Sequence, residues 1–277
     1  MERVALVTGA SSGIGKVTAK KLLSDGYIVY AAARREEKMQ DLKSMGIHVL
    51  KMDITDEASV SAGFDRMIKE QKRVDILVNN AGYGMHGAIE DVPLEKAKAE
   101  FDVNLFGAAR LISLCLPYMR ENGYGKIINV SSIAGRIYAP MTGWYFSSKY
   151  ALEGLSNCLR VEVRQFGIDV VVVEPGLIRT EITGNTVGHL ESNSSEGAYS
   201  VLSKLVSGTM NGYKKYQSKP EVIANVISKA IKAKRPRQRY AKGRLAKVAI
   251  FAFRWIPNRI IDFAYLKIQK RLSKKHG

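Results

Sequence analysis

Val4-Ala5-Leu6-Val7-Thr8-Gly9-Ala10-Ser11-Ser12-Gly13-Ile14-Gly15 runs from an apolar strand-like segment through a glycine-rich turn into a helical pattern over 14–25. Glycines permit a tight turn and let backbone N–H groups approach an anion at the helix N-terminus, where the dipole favours negative charge. The spacing is Gly-x3-Gly-x-Gly rather than G-x-G-x-x-G. Alone, such a loop is an ordinary turn. Between a strand and a helix it reads as a phosphate cradle built from Gly9, Ser11, Ser12, Gly13, Ile14 and Gly15.

The pattern repeats outward. Short Val/Ile/Leu-rich runs recur at 3–7, 27–32, 47–51, 74–78, 126–130 and 169–174, with helical periodicity between them at 14–25, 56–71 and 145–166. Continuous apolar strands alternating with helices predict a doubly wound parallel sheet of Rossmann type, an α/β fold covered on both faces. With 277 residues, 46% hydrophobic and 25% charged, the chain fits one large domain. The expected organisation is a single domain over 1–277, with a core at 1–242 and a basic amphipathic helical extension at 243–277, split into two helices by Pro257. Residues 184–200, rich in Gly, Ser and Asn, read as a mobile loop.

Cys115 and Cys158 form no metal-ligand spacing and no disulfide framework, which points to a reducing compartment. No metal site is expected; His48, His86, His189 and His276 are scattered and read as surface or loop residues. No signal peptide is expected, and no run approaches the roughly 18 apolar residues of a spanning helix. The expected location is cytoplasmic, or peripheral at a membrane surface.

Further motifs follow the glycine loop in a recognisable order: Asp53 after strand three, Asn79-Asn80-Ala81-Gly82 after strand four, and Asn104-Leu105-Phe106-Gly107. Then come Ser131-Ser132, Tyr145-x3-Lys149, and Pro175-Gly176 with Thr180. Over residues 4–180 the chain resembles the short-chain dehydrogenase/reductase family; beyond 185 the likeness is weak. The resemblance implies an oxidoreductase that passes hydride between a nicotinamide cofactor and a carbonyl or alcohol. It implies that Asp53 holds the adenine and that Asn80, Ala81 and Gly82 lie beside the cofactor. Pro175, Gly176, Ile178 and Thr180 then complete its site, and Lys149 reaches the nicotinamide ribose. Asn104 is implied to place a water that links Lys149 to solvent.

Two readings rest on the residues themselves. Strand two ends in Arg34-Arg35, where a fold that prefers NAD usually carries an acid for the ribose hydroxyls. A guanidinium suits a 2′-phosphate, so NADP(H) is the expected cofactor, bound by Arg34 with Arg35 and Ser11 as helpers. Tyr145 and Lys149 share one helix face, and a nearby ammonium is expected to lower the phenol pKa, making Tyr145 the proton donor or acceptor. Ser132, at a strand's C-terminal end, is the expected donor to the carbonyl oxygen.

Tyr138, Met141, Trp144 and the stretch 177–216 are implied to surround the substrate, and their apolar bulk suits a lipophilic or ring-containing compound. From Lys232 onward fifteen basic residues face one acid, Asp262, so +14 of the net +17 lies there. Aromatic and aliphatic residues interleave with this charge. An anionic membrane surface, packing on the body, or a homo-oligomer would each accommodate the segment; nucleic acid is not expected. A non-enzymatic NADP(H)-binding protein at a membrane surface, an NAD-preferring dehydrogenase, and dehydration or epimerisation on the same scaffold remain as alternatives. Substrate and direction are open at this level.

Overall fold

The computed structural model describes residues 2–276, with side chains described for all of these except 181–186 and 271–276. The seven strands are β1 (Val4–Thr8), β2 (Ile28–Ala33), β3 (His48–Lys51), β4 (Ile76–Asn79), β5 (Gly125–Val130), β6 (Ile168–Pro175) and β7 (Arg239–Lys242). All pair in parallel, in the order β3-β2-β1-β4-β5-β6-β7. The chain thus winds outward to β3, returns to β4 beside β1, and proceeds the other way. Ligands in such sheets bind at the carboxyl ends of the strands flanking that reversal.

Eleven α-helices accompany the strands among the described residues. In the first half these are α1 (Gly13–Ser24), α2 (Gln40–Ser44), α3 (Glu57–Gln71), α4 (Leu94–Phe101), α5 (Ala108–Glu121) and α6 (Gly143–Val163). The second half adds α7 (Glu181–Ser194), α8 (Ser200–Tyr213), α9 (Glu221–Lys232), α10 (Ala246–Trp255) and α11 (Asn258–His276). Alternate strand residues feed two cores. Ala5, Val7, Ala31, Val78 and Val171 pack with Ala19, Leu22, Ile223 and Ile227 of α1 and α9 on one face. Leu6, Tyr30, Leu77 and Ile127 pack with Phe64, Met67, Leu111 and Leu159 of α3, α5 and α6 on the other. Period-two alternation with both faces apolar explains why the strands read as continuous hydrophobic runs.

Two expectations are corrected here. Residues 184–200 are not a loop but the end of α7, a short turn, and the start of α8. Propensity loses to packing: Leu190 joins Met141 and Ala88 in a small third core, against which Leu202, Val206 and Met210 rest. The polar side chains there are engaged as well. Ser194 Oγ accepts from the Ala88 N–H (3.0 Å), and Asn193 Nδ2 donates to the His86 carbonyl (2.9 Å). The other correction is β7, hidden in the sequence by its charges. Arg239 lies within 3.0 Å of Glu153 and 3.3 Å of Glu174, two buried carboxylates, so a basic residue serves the interior. The helical extension forms as expected, α10 and α11 meeting at Pro257.

Candidate active site

At the C-terminal ends of β1, β2, β3 and β4 opens a cleft of about 590 Å3. Gly9, Ser11, Ser12, Gly13, Ile14, Arg34, Asp53, Asn80, Ala81, Gly82 and Thr180 all line it. Gly9 and Gly13 have positive φ (65° and 53°), where a side chain would be strained. A Cβ on Gly15 would collide with the Gly9 carbonyl and the Asn80 amide, so this turn closes only with glycine there. No side chain caps α1 at Ser12, and its first turn carries no acid. Its leading N–H groups therefore face the cleft as an anion seat. The donor set, the absent cap and the bare backbone fit a dinucleotide pyrophosphate.

Thr8 fastens the floor. Its hydroxyl accepts from the Asn80 and Ala81 N–H groups (both 3.0 Å) while Asn80 Nδ2 donates to the Thr8 carbonyl (2.9 Å). Beneath them Asn79 donates to Asn129, and Asn129 to Ser156 (2.9 and 2.8 Å). Asp53 turns its carboxylate onto its own loop, accepting from the N–H and hydroxyl of Thr55. Not every expected cofactor residue lines the cleft. Ile178 is buried in the core, and Gly176 lies where a Cβ would strike the Arg244 carbonyl, which gives that glycine a packing reason of its own. Pro175 closes β6 beside it and pairs with Lys242 of β7.

The catalytic candidates meet beyond Gly82 and Gly84. A Cβ on Gly82 would lie 3.4 Å from Lys149 Nζ, and one on Gly84 3.3 Å from the Tyr145 ring. Ser132, at the end of β5, is hydrogen-bonded to Tyr145. Its Oγ also accepts from the Ala134 N–H (3.1 Å), which fixes its orientation. Lys149 Nζ donates to the Val130 carbonyl (3.2 Å) and lies 6.0 Å from the Tyr145 ring centroid.

The expected pKa relationship is corrected by this geometry. Burial pushes the Tyr145 phenol up to about 12, with the Ser132 hydrogen bond opposing. Burial also lowers Lys149 to about 8, against the pull of Glu100 and Glu153. At 6.0 Å the ammonium does not overcome the desolvation of the phenol.

Asn104 sits in a π-helical turn, Asp102–Gly107, between α4 and α5. Such wide turns break the helical ladder and recur at functional sites. Its side chain clamps the loop after β4: Oδ1 accepts from the Tyr83 N–H (3.0 Å), and Nδ2 donates to the Tyr83 carbonyl (2.8 Å) and to Ser148 Oγ (2.9 Å). One turn before it lies a residue the sequence reading passed over. Glu100 is fully buried on α4; one oxygen accepts from the Met85 N–H (3.1 Å) while the other has no partner among the described residues. Burial raises its pKa to about 7, with the Met85 hydrogen bond and Lys149 opposing. A lone acid on the inward face of a helix was the signal available for it.

The expected surface or loop positions of the histidines are corrected for His48, which lies on β3, and His189, on α7, while His86 keeps a loop position but is enclosed. His86 is buried, its ring 5.9 Å from that of Tyr145, and burial lowers its pKa to about 4, helped by nearby His189. His189 lines the cleft and contacts the Gly84 carbonyl (2.8 Å) through Nδ1. His48 stacks on Tyr30, with ring centroids 4.5 Å apart, and His276 falls outside the described side chains. Of the substrate candidates, Met141 is in the third core with φ +65°, and Trp144 Nε1 is enclosed without a partner among the described residues. Tyr138 turns instead to α11, donating to Asp262 (2.8 Å). Among the described residues no cluster of metal ligands occurs.

A family model described as short chain dehydrogenase matches residues 3–190. The chain belongs to that family. Its similarity extends well past the matched part. It is 35% identical to the 3-ketodihydrosphingosine reductase of Bacteroides thetaiotaomicron, over 95% of this chain and 96% of that one. It is 33% identical to the NADPH-dependent 3-dehydrocapnine reductase of Ornithobacterium rhinotracheale, over 99% of each. Among solved structures, a short-chain dehydrogenase from Streptomyces avermitilis superposes with a TM-score of 0.80 and 29% identity, covering 100% of this chain and 99% of that one. This short-chain dehydrogenase is therefore an oxidoreductase that uses a nicotinamide cofactor on a small molecule.

Proposed function

We propose that this dehydrogenase is an NADPH-dependent reductase of a ketone borne on a lipophilic molecule. The observation that carries the reading is the meeting of Ser132, Tyr145 and Lys149 beside a cleft that also displays Arg34 and Arg35. Arg34 follows β2 and Ser132 follows β5, three strand spacings or about 14 Å apart, which suits a dinucleotide lying across the switch point. Gly9, Ser11, Ser12, Gly13, Ile14 and Thr180 hold the pyrophosphate, Asp53 the adenine, and Arg34 the 2′-phosphate.

When bound, the reduced nicotinamide supplies hydride to the carbonyl carbon. Ser132 donates to the carbonyl oxygen as negative charge develops there. With its pKa near 12, Tyr145 keeps its proton at neutral pH and delivers it to that oxygen. Lys149 is the cation beside the phenolate left behind, and Asn104 holds the Gly82–Gly84 loop against both. A phenol that keeps its proton is in the state that the reduction step needs. Both full-length relatives are named as reductases, one of them NADPH-dependent.

Fluorescence titration with NADPH and NADH, followed by NADPH oxidation in the presence of 3-ketodihydrosphingosine, tests the reading. Selective NADPH binding and turnover are expected. Equal affinity for the two nucleotides refutes the cofactor assignment, and binding of neither by folded protein refutes the reductase.

A further inference from the structure

The C-terminal helix pair leaves many of its large apolar side chains exposed. On α10 the inward stripe is Ala246, Ile250 and Phe253; on α11 it is Ile261, Tyr265 and Gln269. These anchor the pair to the catalytic side of the molecule. Phe253 stands edge-on to the Tyr138 ring at 5.1 Å, the Tyr265 hydroxyl donates to the Tyr138 carbonyl (3.1 Å), and α11 lies against α8. Tyr138 belongs to the segment between Ser132 and Tyr145. The pair is thus tied to the rim of the substrate side.

The opposite faces remain uncovered, and their composition is unusual. α10 presents Lys247, Val248, Phe251, Arg254 and Trp255 outward. α11 presents Arg259, Ile260, Phe263, Leu266, Lys267 and Lys270. Phe251 is 67% exposed, Trp255 66% and Phe263 64%. An ordinary surface helix separates an apolar stripe from a charged one. Here both residue types share the outward face.

We propose that the outward face of α10 and α11 docks the enzyme on an anionic lipid bilayer, beside the mouth through which a lipophilic substrate enters. Aromatic and aliphatic side chains would lie at the headgroup–acyl boundary, with the interleaved basic groups among the lipid phosphates. Charge decides against a second copy as the occupant. A two-fold interface would set this patch against itself, and +14 of the chain's +17 lies from Lys232 onward. Nucleic acid would satisfy the charge and could stack on the three rings, but it would leave the aliphatic surface of Val248, Ile260 and Leu266 in water, which a bilayer covers. No helix among the described residues is long and apolar enough to cross the membrane, so the contact is peripheral. The placement beside the substrate mouth rests on the proposed reductase reading; the docking does not.

The test uses the full chain, sedimented with phosphatidylcholine vesicles with and without phosphatidylglycerol. Co-sedimentation with the anionic vesicles alone, weakened by salt, is expected. Lys267→Gln/Lys270→Gln should weaken it about 30-fold, which corresponds to about 1 kcal/mol for each cation near the surface. Phe251→Ser/Trp255→Ser/Phe263→Ser should weaken it at least about tenfold while leaving reduction of a water-soluble ketone and the far-UV circular dichroism unchanged. Three results would overturn the proposal: no binding to anionic vesicles at low salt, binding indifferent to the aromatic substitutions, or self-association or duplex DNA binding in place of vesicle binding. Docking without ketone reduction would overturn the reductase reading and leave the membrane surface standing.

Discussion

Replacing Glu100 by Gln offers a direct measure of how the buried acid near Lys149 is tuned. The carboxyl is wholly enclosed, and its pKa rises from 4.5 to about 7. A native pKa above the unfolded one means that the folded protein holds a proton the unfolded chain has released. The stability this contributes is fully present below about pH 4.5 and is lost as pH rises through about 7. A difference of about 2.5 units corresponds to about 3 kcal/mol, most of it appearing between about pH 5 and 8. Glutamine removes the titration while keeping size and shape. Urea unfolding of both proteins across that range should therefore show the variant gaining on the parent by about 2–3 kcal/mol from acid to alkaline pH, whatever the constant offset. The same substitution withdraws a negative charge that holds Lys149 up near 8, so the alkaline limb of the kcat profile should move to lower pH. Parallel stability curves, with a difference constant to within about 1 kcal/mol, would show that Glu100 does not titrate in this window and would refute the reasoning.

Three further outcomes are expected. Tyr145→Phe should leave NADPH affinity near normal while lowering kcat by about 100-fold or more, because the proton donor is lost; near-normal turnover would dismiss the role. Arg34→Glu should raise the NADPH dissociation constant about 10–100-fold and leave that for NADH little changed, as read by nucleotide fluorescence. Arg239→Met should destabilise the fold by about 3–5 kcal/mol by leaving Glu153 without its cation and Glu174 with Arg136 alone, seen as a fall in the denaturant midpoint.

Legibility followed the range of the interactions involved. The strands of the sheet interior announced themselves because two buried faces demand uninterrupted apolar runs, as in Val170–Val173. The glycine turn was legible because its geometry is local. Edge strand β7 was not: half-exposed and carrying Arg239 and Lys242, it makes sense only once Glu153 and Glu174 are seen across the fold. The helices after β6 were hidden by Gly, Ser and Asn, whose poor propensity is overridden by contacts some hundred residues away, as between Ser194 and Ala88. The residues brought beside Gly82 and Gly84 could be named from motif order. Glu100 left only the mark of an acid on the inward face of α4, and His86 none, because enclosure is a property of the assembled molecule.

The π-turn at Asp102–Gly107 has a consequence for how this enzyme tolerates change in length. It adds a residue to what would otherwise be one continuous rod. α4 can thereby aim Glu100 toward the site while α5 aims Leu111 and Cys115 into the sheet. Deleting one residue while the wide turn persists would rotate everything downstream by about 100°. Either the site clamp or the core stripe would then face the wrong way. Connections between helices usually absorb insertions and deletions freely; this one is a keyed coupling whose residue count must be preserved.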